Sequence, residues 1–374
     1  MRVAVDASVL NLPELRGIGS YLSEVLAAWP DPDDVFLLLS PGPIPQERLR
    51  GAAQKRVVVC PEPRGSRFYT WRWWSLPRAV RRLAPDLLWS PANQTAPVAG
   101  LPQAVTIHDS LLQERVRHDS PIERFYHGRL TPWWTRRYAA RIITVSEFSK
   151  ARIAAVFACA PERIRVIANG ANLPARPFAS KAQARAHLAA RKLVDRPYVL
   201  VLGAESPWKN TEGALRAFAL VSRQVPDVDF VAVGAQPGAR ARFSALGREL
   251  GISSRLRLPG FVEPGDRDAL YQGAEVFVYP SLFEGFGLPP LEAMALDTPV
   301  VASDAAAVPE VAARAARCVD AADPEALARA IVEVLRSPEL HRSLVAAGRE
   351  NLKRFRWSDA ARAHRDLFRE CAAL

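Results

Sequence analysis

A chain of 374 residues exceeds one ordinary hydrophobic core and predicts two domains. Its composition, 49% hydrophobic with no apolar run long enough to cross a bilayer, excludes a membrane-spanning helix, and its four scattered cysteines (Cys60, Cys159, Cys318, Cys371) exclude a disulfide frame or a C-x-x-C zinc site and fit a reducing cytoplasm. The net charge of +11 favours anionic partners (nucleoside diphosphates, lipid phosphates or a membrane surface), while the absence of helix-turn-helix, zinc-finger and RNP signatures argues against nucleic acid.

The opening stretch MRVAVDASVL alternates like a strand, predicted over Val3 to Asp6, and has no signal-peptide pattern. Gly17-Ile18-Gly19 is a predicted glycine loop before a helix from Ser20 to Ala28, with Tyr21, Leu22, Val25 and Leu26 on its apolar side. Such a loop is an anion site or a plain turn. G-x-G-x-x-G fails at Leu22, so it is not the dinucleotide fingerprint. Val35 to Leu39 and Arg56 to Cys60 read as strands. Arg67 to Arg82 (RFYTWRWWSLPRAVRR) crowds aromatic and basic residues. It suits a membrane interface, a core-packing helix with a basic outer face, or an acceptor surface; Pro77 interrupts the pattern and favours the second. Pro85 to Ser90 and Ala104 to His108 are further strands. His108-Asp109 ends the second, at the edge where open α/β sheets place ligand groups, although a lone histidine is more often structural. Ile142 to Val145 precedes Ser146, a plausible N-cap. Arg165 to Ala168 is the last strand of a first domain spanning 1–173. Two prolines mark a linker over 174–195.

The second domain, 196–355, opens with the apolar strand Tyr198 to Gly203 and a loop, Ala204 to Asn210, that holds Lys209, one of only six lysines. Asp229 to Gly234 and Arg255 to Leu258 follow, the latter leading into Phe261 and Val262. The densest stretch is YPSLFEGFGLPPLEAMALDTPVVASD, Tyr279 to Asp304. A buried strand over 274–279 enters Glu284-Gly285-Phe286-Gly287, and Pro289-Pro290 opens a helix, where a missing N–H costs nothing. Unpaired N–H groups and the positive helix end then face an anion. Glu284 and Glu292 frame the site; a diphosphate there would leave Glu292 near a ribose and Glu284 near whatever hangs off the far phosphate. Alternatively, Glu292 merely complements the helix dipole and Glu284 is a solvated loop acid. A last helix, roughly Ser358 to Cys371, lies in the segment 356–374.

E-x7-E inside FEGFGLPPLEAMALDTPVVASD resembles the signature of retaining, nucleotide-sugar-dependent glycosyltransferases of family 4. The resemblance implies the GT-B fold: two Rossmann-like α/β domains facing a central cleft, with the C-terminal helix crossing back to the first. It extends to RGIGSYLSEVL, the HD at His108, T-V-S-x-x-S at Thr144 to Ser149, and the closing F-x-W at Phe355 to Trp357. It implies that Gly17 and Gly19 meet donor diphosphate or acceptor, that His108 contacts the donor sugar, that Lys209 binds phosphate, and that Phe261 and Val262 line the base pocket, a core-strand reading of these two being equally open. The amides of Phe286, Gly287 and Leu288 would join Lys209 on the diphosphate. Glu284 would hold sugar hydroxyls, or act as nucleophile in a double displacement. Two departures stand out. Asp297 replaces the usual glycine at a helix C-terminus, a poor place for negative charge. Ala204 and Trp208 occupy the positions where the family often adds an arginine, leaving Arg16 as a substitute.

The chain looks most like bacterial mannosyl- and rhamnosyltransferases of surface polysaccharide assembly. That implies retaining, metal-independent transfer of a hexose, with GDP-mannose as the donor guessed and no cofactor. The acceptor would be a glycan or lipid-linked glycan at the inner face of the plasma membrane, reached through peripheral membrane contact. An epimerase of the same fold and a non-catalytic sugar-nucleotide-binding scaffold are the alternatives.

Overall fold

The computed structural model describes residues 1–13, 15, 17–61, 70–114, 120–173, 178–203 and 205–373. The chain divides into two compact units, Met1–Gly170 with Phe355–Leu374, and Ala171–Arg354. In the first, seven parallel strands, β1 (Arg2–Asp6), β2 (Val35–Ser40), β3 (Gln54–Val59), β4 (Leu87–Ser90), β5 (Gln103–Thr106), β6 (Arg141–Thr144) and β7 (Ile164–Val166), lie in the order β3-β2-β1-β4-β5-β6-β7. In the second, β8 (Tyr198–Leu202), β9 (Asp229–Val233), β10 (Leu256–Gly260), β11 (Val276–Tyr279), β12 (Val300–Ser303) and β13 (Ala316–Val319) lie in the order β10-β9-β8-β11-β12-β13. Helices cover both faces, so central strands such as β8 and β11 are buried along their whole length and read as unbroken apolar runs.

The C-terminal helix Trp357–Ala372 belongs to the first unit. It buries Leu367, Phe368 and Cys371 against Tyr21, Leu22, Val25 and Leu26 of helix Gly17–Ala27. Phe368 stacks on Trp29 at 5.7 Å between ring centres and meets Trp89 at 5.2 Å. Gly170 makes room for the start of this helix: a Cβ there would lie 2.4 Å from the Trp357 ring. A fully buried hydrogen-bond chain locks the helix down. His364 Nδ1 lies 2.7 Å from the Ala360 carbonyl, which can only accept, so Nδ1 carries the proton and Nε2 accepts. Tyr21 therefore donates to His364 Nε2 at 2.6 Å, Thr106 to Tyr21 at 3.1 Å, and Trp89 Nε1 to Thr106 at 3.0 Å.

Two helical runs of the first unit each contain one widened turn. Leu76 N donates to the Trp71 carbonyl and Thr131 N to the Tyr126 carbonyl, five residues back in each case. A proline follows at once, Pro77 and Pro132, and neither has the N–H that would continue the ordinary ladder. The helix widens by one residue and goes on. In the first run Trp71, Leu76 and Val80 pack inward while Arg78, Arg81 and Arg82 face outward, as a core-packing helix with a basic outer face requires. Trp73 and Trp74 depart from that picture and are exposed; Arg67 and Phe68 lie outside the described residues.

Other expectations shift as well. The first helix starts at Gly17, so Gly17 and Gly19 lie in its opening turn and not in a preceding loop. Gly19 is buried there, where a Cβ would stand 2.8 Å from the Leu15 side chain. The stretch 174–195 contains helix Lys181–Ala190, held to the second unit by Lys181 and Arg185 on Glu275 and by Arg185 on the Gly273 carbonyl. It is built structure more than linker. β5 ends at Thr106, before His108.

Burial lowers the His364 pKa from 6.5 to about 4. Between those values the unfolded chain binds a proton that the folded chain refuses, so stability is complete above pH 6.5 and falls as pH drops toward 4. The loss amounts to about 3 kcal/mol. Urea melts of the wild type should show this decline, and His364→Gln, which can still accept from Tyr21, should remove the His364 share of it and leave that of His108, whose pKa burial also lowers to about 4.

Candidate functional site

In the second unit the strand order reverses between β8 and β11, and the loops leaving their carboxyl ends diverge around a crevice, the usual ligand position in open α/β sheets. The two loops are stitched together. Leu282 N donates to the Trp208 carbonyl at 2.7 Å, and Ser281 Oγ lies 3.1 Å from the same carbonyl. Lys209 ends a short turn after β8 (Pro207–Lys209), and Asn210 beyond it adopts a left-handed conformation, with φ of 52°. This aims the lysine at the β11 loop. Its Nζ donates to Glu284 Oε1 at 2.6 Å and to the Tyr279 hydroxyl at 3.2 Å, and lies 5.1 Å from the centre of the Tyr279 ring.

Glu284 is held from its own loop too, since Ser281 Oγ donates to Oε1 at 2.6 Å. Burial and the Glu284 carboxylate push the Tyr279 pKa well above its ordinary value, so Tyr279 remains a neutral phenol. Helix Leu288–Ala295 follows, with Pro289 and Pro290 in its first turn and Gly287 before it at φ of 100°. A Cβ on Gly287 would touch the Tyr279 ring at 3.4 Å. Phe286 is buried and Leu288 half-buried beside this helix start. Glu292 is half-buried, and the buried Tyr271 hydroxyl donates to its Oε2 at 2.8 Å. The result is a helix N-terminus with a lysine and two oriented carboxylates around it. Such a group can cradle an anion and accept hydrogen bonds from hydroxyls.

Not every predicted residue joins this group. Phe261 lies beyond the end of β10, where Gly260 turns the chain at φ of 78°, and is 75% exposed. The core-strand reading fails for it, and Val262 is half-buried beside it. Asp297 stands at φ of 56°, the conformation that favours glycine, and a two-pronged Arg349 pair at 2.7 Å on each oxygen offsets its charge at the helix end. Arg16 and Ala204 lie outside the described residues. Tyr271, Tyr279 and Ser281 were missed by the sequence reading. Ser281 and Tyr279 sit within five residues of Glu284 and could have been noticed; Tyr271, on another helix, could not.

In the first unit His108 follows β5. Its N–H donates to Asn93 Oδ1 at 2.8 Å and its carbonyl accepts from Ser149 Oγ at 3.1 Å, joining the HD and T-V-S-x-x-S segments. Ser146 caps the intervening helix by accepting from Ser149 N at 3.0 Å. His108 Nε2 lies 3.0 Å from the Pro91 carbonyl, so it carries the proton and Nδ1 is the acceptor. Burial lowers the His108 pKa to about 4, so the ring is neutral at physiological pH. Tyr21, in the helix begun by Gly17 and Gly19, meets it edge-on at 4.7 Å.

Residues 15–174 match the model for Glycosyltransferase Family 4, and residues 184–351 match that for Glycosyl transferases group 1. The chain belongs to glycosyltransferase family 4. It is 31% identical over 66% of its length to O-antigen chain mannosyltransferase B of Escherichia coli and spans 62% of that protein. It is 30% identical over 70% of its length to the MMP alpha-(1->4)-mannosyltransferase of Mycolicibacterium hassiacum, spanning 64% of it. Against serotype-specific mannosyltransferase WbdA of Escherichia coli the match spans 31% of the relative. Among solved structures, Anabaena HepE in complex with UDP and glucose aligns over 99% of both chains with a TM-score of 0.77 at 18% identity. WaaG, a glycosyltransferase involved in lipopolysaccharide biosynthesis, aligns over 98% of this chain and 99% of its own with a TM-score of 0.73 at 13% identity. These likenesses show the GT-B fold, with its two Rossmann-like units.

The helix start depends on one backbone conformation. Gly287→Ala should lower unfolding stability by about 1–2 kcal/mol, because an L-residue resists positive φ. Gly238→Ala, in a helix with nothing within 4 Å of the added Cβ, should stabilise by about 0.5–1 kcal/mol. Denaturant melts of both variants test the contrast.

Proposed function

We propose that this protein transfers a hexose of mannose or rhamnose type, with retention, from a nucleoside-diphosphate sugar to a glycan or lipid-linked glycan. The observation that carries this is the Lys209–Glu284 pair beside a glycine-led helix N-terminus at the strand-order reversal. The names of the mannosyltransferase relatives support the sugar class, and those of the O-antigen relatives support surface polysaccharide synthesis; GDP-mannose as donor and action at the cytoplasmic face of a membrane are part of the proposal.

In this reading the donor diphosphate lies on the helix N-terminus and draws Lys209 from Glu284. Glu284 then accepts hydrogen bonds from sugar hydroxyls while Ser281 keeps it in place. The ribose lies against Glu292, which Tyr271 orients. The acceptor oxygen bonds to the anomeric carbon on the face the diphosphate leaves, the carbon–oxygen bond to phosphate breaks, and the acceptor proton passes to the departing phosphate. Lys209 and the helix end stabilise the charge growing on that phosphate, so no divalent metal is required. Neutral His108 serves as a hydrogen-bond acceptor for a sugar hydroxyl through Nδ1.

Thermal melts with GDP, UDP, dTDP and ADP, with and without EDTA, test the donor. One nucleotide at about 100 times its Kd should stabilise by roughly 2.7 kcal/mol, unaffected by EDTA. No response to any of them would sink the proposal, and turnover without an acceptor would point to the epimerase. Lys209→Ala should weaken binding of that nucleotide about tenfold to a hundredfold. Glu284→Gln should keep or tighten it, having released Lys209, while turnover falls; equal loss of both would contradict the division of roles. Tyr271→Phe should weaken nucleotide binding and leave inorganic diphosphate binding unchanged, as isothermal titration would show.

A further inference from the structure

Five large apolar side chains are exposed on the two proline-widened helical runs of the first unit: Trp73 at 43%, Trp74 at 61%, Ile122 at 70%, Phe125 at 57% and Trp133 at 49%. The runs touch through Trp73, whose ring lies 6.0 Å from Tyr126 and 5.4 Å from Trp134. The exposure follows from the widened turns. In 121–138 the buried side is Tyr126, Thr131, Pro132 and Thr135, while Phe125 and Trp133 stand out on either side of the turn that Pro132 imposes.

Positive charge accompanies the aromatics. The residues 71–83 and 121–138 hold eight arginines, of which Arg72 is buried against Asp6, and a single carboxylate, Glu123. Arg78, Arg124, Arg129 and Arg137 are exposed, and among the described residues none of them is in an ion pair with a carboxylate. Arg78 stacks on Trp74 at 3.9 Å, a cation–aromatic pair left at the surface. A cavity of about 550 Å³ opens between Phe125, Leu130, Pro132, Trp133 and Val156, with Arg129 and Arg136 among its walls. The lining is apolar with guanidinium at the edge. Arg136 also donates to the Phe157 carbonyl at 2.6 Å, which fixes one guanidinium in place. No helix among the described residues is long and apolar enough to cross a membrane.

We infer that this face docks on an anionic phospholipid bilayer. Tryptophan and phenylalanine enter the interface, the arginines meet lipid phosphates, and the Phe125–Trp133 cavity takes the upper part of an acyl chain. Charge complementarity chooses this occupant: an apolar protein partner would leave exposed guanidinium groups without counterions, whereas a sheet of phosphates over an acyl layer satisfies both parts of the face at once. The inference takes from the function proposed above only the placement of the acceptor at a membrane, and it names the surface that would bring the enzyme there.

The test is flotation of the full chain with vesicles of pure phosphatidylcholine and of phosphatidylcholine mixed equally with phosphatidylglycerol, without donor or acceptor. Wild type should float with the anionic vesicles only, and high salt should weaken the binding. Phe125→Ala with Trp133→Ala should reduce it at least tenfold, and Arg129→Ala about fivefold. The variants' nucleotide-induced melting shifts should equal the wild type's, which certifies folding and keeps this test separate from that of transfer. Failure of the wild type to float, equal binding to both vesicles, or undiminished binding by the double aromatic variant overturns the inference. A nucleotide response that persists in that case leaves the transferase reading standing by itself.

Discussion

The constraint on which the site depends is the reversal of strand order in a parallel sheet. Right-handed crossovers carry the chain from β8 outward to β10, and the next strand, β11, must then pair with the free side of β8. The loops after β8 and β11 therefore leave adjacent strands and turn to opposite faces, which opens a crevice at the carboxyl edge. Both strands are buried along their length, so the platform under the loops is rigid. The bond from Leu282 to the Trp208 carbonyl and that from Lys209 to Glu284 then convert two separate loops into one structure. The first unit repeats the reversal between β1 and β4, and there the carboxyl edge carries histidine, asparagine and serine contacts together with a buried Asp6–Arg72 ion pair at 3.5 Å.

The Lys209–Glu284 pair is more than an ornament on that platform. Their side chains retain 20% and 15% exposure, so neither charge can be left unmatched cheaply, yet both remain reachable from solvent. Lysine offers three donors, of which two are engaged, and the four hydrogen-bond positions of a carboxylate exceed what Lys209 and Ser281 use on Oε1. Neutral Tyr279 lets the ammonium slide over its ring and hydroxyl without a competing negative charge. A ligand that brings both phosphate and hydroxyls can thus exchange partners with the pair and leave no charge stranded. A ligand that brings only one of the two gains less. Free phosphate would take Lys209 and leave Glu284 with a like charge nearby.

Much of this was legible in the sequence because it is local. Strand, glycine turn, double proline and helix follow one another between Val276 and Ala295, and each is dictated by neighbours in the chain. The apolar runs and the final helix were equally readable. What escaped was long-range. Nothing in the chain order says that Tyr271 reaches Glu292, that Arg349 offsets Asp297, or that Tyr21 donates to His364 across most of the sequence. The first helix was started too late because a glycine pair normally reads as a loop, whereas here burial against Leu15 requires Gly19 inside the helix. Pro77 was read only as an interruption of the aromatic–basic pattern. The chain instead widened one turn around it, since the core contacts of Trp71, Leu76 and Val80 outweigh one missing hydrogen bond.

The charges near the second-unit site bear on how it could hold a diphosphate. The loop that carries Lys209 also carries Glu205, and Trp208 stands where an arginine is common in the family. Lys209 and Glu284 cancel, and Glu292 and Glu205 leave the side chains of this group with two negative charges in excess. In the proposed function, a diphosphate bound by side chains alone would meet net repulsion. Attraction must then come from backbone: the amides leading up to Leu288, since Pro289 and Pro290 have none, and the helix dipole, with hydrogen bonds to a charged group worth about 1.5–3 kcal/mol each. That shifts the weight of anion binding onto the φ of 100° at Gly287, which sets the direction of those amides. It also explains why the surrounding sequence spends its constraints on glycine and proline: the receptor for phosphate would be a shape of the main chain, and Lys209 the switch that hands Glu284 to the sugar.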